Sequence, residues 1–97
     1  MNEAELAAEY TGPRTKRRVG SIWFHWSRRG RSPTHRYRLE YDVAARSFGL
    51  TKYHRTSSKR TEHRSVITDP AIIAVFRRAL LPAQIALITR LSMEARR

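Results

Sequence analysis

The nine residues HRYRLEYDV, from His35 to Val43, alternate without a break: Tyr37, Leu39, Tyr41 and Val43 have apolar bodies, while Arg36, Arg38, Glu40 and Asp42 are charged. Side chains on a strand point in turn to its two faces, so the run reads as a β-strand with one face on a core and the other in water. A helix would scatter those four apolar residues around its circumference. The chain must therefore build a sheet that is covered on one side.

Its neighbours supply the partners. From Val19 to Ser27, β-branched and aromatic residues predict a strand with Ile22, Phe24 and Trp26 on one face and Trp23 and His25 on the other. RRGRSP at 28–33 has the Gly and Pro of a loop, AARS reads as a turn, and FGLTKYHR as a third strand. In that third strand Phe48 and Leu50 point inward, and Gly49 marks a bulge or weak point. An antiparallel meander over 19–55 results. Before it, NEAELAAEY reads as a short helix with Asn2 as N-cap, and RTKRR from Arg14 to Arg18 as a basic arm, together filling 1–18. After it, 56–66 reads as a basic loop, since Arg55 to Ser65 holds no hydrophobic residue.

The tail, 69–95, is helical. Asp69 is an N-cap, Pro70 suits the first helical position, and Ile72, Ile73, Phe76 and Leu80 form a stripe. Pro82 forces a kink or break near Leu80 and Leu81. Beyond it Ile85, Ile88 and Leu91 form a second stripe, and Leu87 lies outside it, which suggests a homodimer formed through the C-terminal helices. The expected architecture is α+β: a three-stranded antiparallel sheet, a short N-terminal helix, and a Pro-kinked C-terminal helical pair packed on one face. All of this fits one small basic domain over 1–97.

Charge then points to a partner. The net of +12 is concentrated in residues 14–64, which hold fifteen Lys and Arg against three acids, whereas residues 1–13 hold three acids and no base. Such density repels itself unless a polyanion or an acidic surface neutralises it, and arginine's planar fork suits phosphate. The expected function is non-catalytic binding of nucleic acid, RNA or DNA, dominated by phosphate contacts. The residues chosen are Arg28, Arg29, Arg31, Arg36, Arg38, Lys59, Arg60 and Arg64, with Trp23 and His25 as stacking groups. Three-stranded sheets backed by a helix also enter the DNA major groove, where Arg36 and Arg38 on the outward face would reach guanine edges. The first alternative is a small basic inhibitor or adaptor, of the sort phages and plasmids encode, docking on an acidic protein partner. The second is a small endoribonuclease in which His25, His35, His54 and His63 work with Lys52, Tyr53 and Arg55.

Other classes find no support. Without cysteine there is no disulfide and no thiolate metal site, which fits a cytoplasmic location. No histidine pair has metal-ligand spacing, and no Gly-rich phosphate loop or paired carboxylate site is present, so neither metal nor cofactor is expected. No apolar run approaches a membrane span, and the N-terminus lacks the pattern of a signal peptide.

Overall fold

In the computed structural model, which describes residues 13–28, 35–55 and 62–94, the alternating run is the central strand of a five-stranded antiparallel sheet. The strands are β1 (Arg14–Arg18), β2 (Ser21–Ser27), β3 (His35–Asp42), β4 (Ser47–Arg55) and β5 (Glu62–Ile67), in that spatial order. Two helices follow, α1 (Pro70–Arg78) and α2 (Pro82–Glu94).

Register decides which side chains share a face. Leu39 pairs with Phe24 on β2 and Leu50 on β4, Tyr41 with Ile22 and Phe48, and Tyr37 with Trp26 and Lys52. The inward residues predicted for β2 and β3 thus lie together, and Ile22, Phe24, Leu39 and Leu50 are fully buried. Phe76 of α1 pins this layer from above: its ring meets Trp26 edge-on at 5.0 Å and Tyr37 at 4.6 Å. Ring contacts of this kind add about 0.5–1.5 kcal/mol to simple area burial.

The helical tail forms as its signals predict. The Asp69 carboxylate accepts from Ala71 N at 2.9 Å, with Pro70 opening the helix. Pro82 ends the run, and α2 departs at 113° from α1. At the start of α2, Gln84 Oε1 accepts from Leu81 N at 2.8 Å, the half of a capping box that a third-position Gln supplies. Its Nε2 donates to Pro13 O and Thr15 Oγ1, tying the start of β1 to the first turn of α2. The inward side of α2 carries Gln84, Leu87, Ile88 and Leu91, with Ser92 hydrogen-bonded to Tyr41. Leu87 is therefore packed on the chain's own core, and of α2's large apolar residues Ile85 and Met93 are left exposed.

Two segments overturn the expected three-stranded sheet. RTKRR is not a free arm but edge strand β1, and EHRSVI, placed mostly in the basic loop 56–66, is the opposite edge strand β5. All of β1 and nearly all of β5 are exposed, because the helices cover only the middle of the sheet. An edge strand needs backbone pairing but no apolar alternation, and charged residues there discourage pairing with other chains. No helix precedes β1 among the described residues; the helix read over NEAELAAEY falls outside them. Gly49 stays in register opposite Glu40, so β4 has no bulge. The β1–β2 connection is the two-residue turn Val19-Gly20, in which Gly20 takes φ +81°, a backbone state that suits glycine. No single helix among the described residues is long and apolar enough to cross a membrane.

Candidate nucleic-acid interface

Pairing across the sheet also fixes what the face opposite the two helices displays. Alternation from the buried set places Arg14, Lys16 and Arg18 of β1, Trp23 and His25 of β2, Arg36 and Arg38 of β3, Tyr53 and Arg55 of β4, and Arg64 of β5 on this side. Among the described residues the face holds seven Lys and Arg against Glu40, Asp42 and Glu62. Trp23 and His25 thus occupy the face expected of them.

The rings on this face are covered by guanidinium groups. Arg18 of β1 and Arg38 of β3 approach Trp23 from the two flanking strands, at 4.4 and 4.2 Å from its ring centroid. Arg36 and Arg38 lie 5.0 and 5.3 Å from the ring of Tyr53, which is buried although it faces away from both described helices. Arg36 Nη2 also donates to Glu62 Oε2 at 2.6 Å, joining β3 to edge strand β5 across β4. Trp23 Nε1 and Arg38 Nε are buried without a hydrogen-bond partner. An unsatisfied buried donor costs about 1–3 kcal/mol, so an acceptor-rich ligand that draws Arg38 off the ring would relieve both.

His25 sits in the middle of this charge, edge-on to Trp23 at 6.0 Å. Burial first, and then the charges of Arg38, Arg36 and Lys16, hold its imidazole below the usual value of 6.5. At neutral pH it is therefore an uncharged ring with a hydrogen-bonding edge.

The predicted site residues divide. Trp23, His25, Arg36, Arg38 and Arg64 come together on the open face. Arg28 does not join them: it pairs with His35 at the end of the sheet and lies on the helix side, its Nη1 3.4 Å from His35 Nδ1. Arg29, Arg31, Lys59 and Arg60 lie outside the described residues. The sequence reading missed Arg14, Lys16 and Arg18 as members of one face, and Tyr53 as a ring beneath arginines. The signal for the first three was their two-residue spacing, visible only once RTKRR is taken as a strand.

A separate groove of about 490 Å³ occupies the elbow between α1 and α2, floored by Phe48, Leu80, Ile85 and Ile88, with Arg77 and Arg78 beside it. Among the described residues no group of three or more His, Asp or Glu is placed to hold a metal ion. Compared with protein-family models, curated proteins and solved structures, the chain matches none of them.

Proposed function

We propose that the open sheet face binds nucleic acid, with arginine–phosphate contacts supplying most of the affinity. The observation that carries this is the gathering, among the described residues, of seven cations and two partnerless buried donors on the face opposite the helices. Phosphates offer the negative charge and acceptors that Glu40, Asp42 and Glu62 alone do not supply to seven cations.

The width of the sheet bears on the form of nucleic acid. Five strands spaced about 4.8 Å apart span roughly 19 Å between the outer two, against about 12 Å for a B-DNA major groove. A face this broad does not enter the groove as a three-stranded sheet would. It suits a single strand lying across β1 to β5, in which a base replaces a guanidinium on Trp23 while the released arginine takes a phosphate.

The test is a salt titration of binding to fluorescent single-stranded RNA, double-stranded RNA and duplex DNA, with the protein first stripped of bound nucleic acid. The expected result is tightest binding to a single strand, with log K falling against log salt at a slope of about −3 or steeper. The double substitution Arg36→Glu and Arg38→Glu should abolish binding while circular dichroism stays native. Weak binding to all three at moderate salt would overturn the reading and turn the search toward an acidic protein partner.

A further inference from the structure

The sheet brings together three histidines that are far apart in sequence. His35 pairs with His54, and His54 with His63, so one side chain from each of β3, β4 and β5 stands abreast on the last rungs of the sheet, on the side opposite Arg36 and Arg64. Arg28 N donates to His35 O at 3.0 Å, which turns the His35 backbone toward β2 and leaves His35 and His54 as a non-hydrogen-bonded pair. Side chains approach most closely in such pairs, and the two imidazoles stack at 4.5 Å with 23° between planes. His54 and His63 are exposed, Lys52 follows on the same face one pair inward, and Arg28 stands beside His35. Each histidine is followed by an arginine, as His35-Arg36, His54-Arg55 and His63-Arg64. Imidazoles thus line one side of the sheet end, with Arg28 beside them, and Arg36, Arg55 and Arg64 line the other.

We propose that this row is a metal-independent RNA-cleaving site, with His54 and His63 as the acid–base pair. The proposal rests on nucleic-acid binding by the open face, from which a strand bending over the sheet end meets the row. One imidazole takes the proton of a ribose 2′-OH, and the 2′-oxygen attacks the adjacent phosphorus. The bond from phosphorus to the 5′-oxygen breaks, and the second imidazole, protonated beforehand, gives that oxygen its proton. The products are a 2′,3′-cyclic phosphate and a 5′-OH; no water, metal or redox partner enters the balance. Lys52 and Arg28 stabilise the charge gathering on the non-bridging oxygens. His35 is a positioning residue, its ring limiting the rotation of His54.

The experiment incubates the whole chain with a fluorescent RNA oligonucleotide in excess EDTA, beside its all-2′-deoxy counterpart, and identifies the product ends by mass spectrometry. Cleavage of the RNA to cyclic-phosphate ends is expected, with a bell-shaped pH profile, and the deoxy strand is bound but left intact. His54→Ala and His63→Ala should each lower the rate about 100-fold or more. His54→Gln serves if the alanine variant loses its native circular dichroism. His35→Ala should lower kcat and displace one limb of the profile, and His35→Phe, which keeps a ring against His54, should bring that limb back and recover part of the rate. Intact RNA alongside a bound deoxy strand overturns the proposal and leaves the binding reading standing. Failure to bind the deoxy strand overturns both, and cleavage undiminished in folded His54 and His63 variants overturns the assignment.

Discussion

Two tryptophans on one strand, three residues apart, are buried by opposite means. Trp26 lies against Phe76 and is 2% exposed, covered by a helix. Trp23, on the other face, is half-buried under Arg18 and Arg38. Apolar cover removes water permanently, and a core ring such as Trp26 costs about 3–5 kcal/mol to truncate. A guanidinium over a ring contributes only about 0.5–2 kcal/mol and keeps its charge available. One face of the sheet therefore holds the fold, while the other holds a cationic surface whose cover can be displaced by a ligand that binds arginine more strongly.

The sharpest way to break this comparison is at Phe76, which is fully buried and contacts both Trp26 and Tyr37. Phe76→Ala should cost about 3–5 kcal/mol, a large part of the stability of a small domain, and appear as loss of a cooperative urea transition. A loss of the same size from the Arg36 and Arg38 charge reversal would show that both faces hold the fold, and the division would fail. Next in size is Gln84→Ala, which removes a helix cap and two bonds to the start of β1. About 1–3 kcal/mol is expected, with amide exchange rising first in Arg14–Arg18; uniform exchange across the sheet would mean β1 is not held separately. Smaller again is Trp23→Ala, at about 1–2 kcal/mol of stability. It should nonetheless weaken single-strand binding by about 5- to 30-fold. Trp26→Ala should do the reverse, destabilising strongly and leaving any folded fraction able to bind.

These two faces were not equally legible in the sequence. The alternation in HRYRLEYDV and the spacing of Ile22, Phe24 and Trp26 identified the helix-covered side, because burial demands a period. The caps at Asp69 and the break at Pro82 were legible for the same reason: backbone chemistry restricts which residues stand there. Edge strands obey no such demand. RTKRR and EHRSVI carry almost no apolar signal and are strands through backbone pairing to β2 and β4. Arg14, Lys16, Arg18 and Arg64 thus read as parts of an arm and a loop, although they belong to one continuous face. Likewise, the meeting of His35, His54 and His63 depends on register between distant segments, which local pattern does not specify.

The smallest effect expected is the one that separates the two faces most cleanly, because its sign differs between folding and binding. His25 is held below 6.5 by burial and then by Arg38, Arg36 and Lys16, with Arg14 directly opposite on β1. In the pH window between its folded value and 6.5 the unfolded chain binds more protons than the folded one. Stability conferred by keeping His25 neutral is therefore full above 6.5 and falls as pH drops through that window. A bound polyanion offsets the same three cations and raises the imidazole's affinity for a proton. By linkage, nucleic-acid binding should tighten over the window in which the free domain weakens. The chain holds three other histidines, so the measurement is the difference between wild type and His25→Gln. Urea midpoints should fall less steeply on acidification in the variant, and its oligonucleotide affinity should rise less. If wild type and variant respond alike in both assays, the cations around His25 are not the ones that phosphate neutralises, and the binding face must be sought away from β2 and β3.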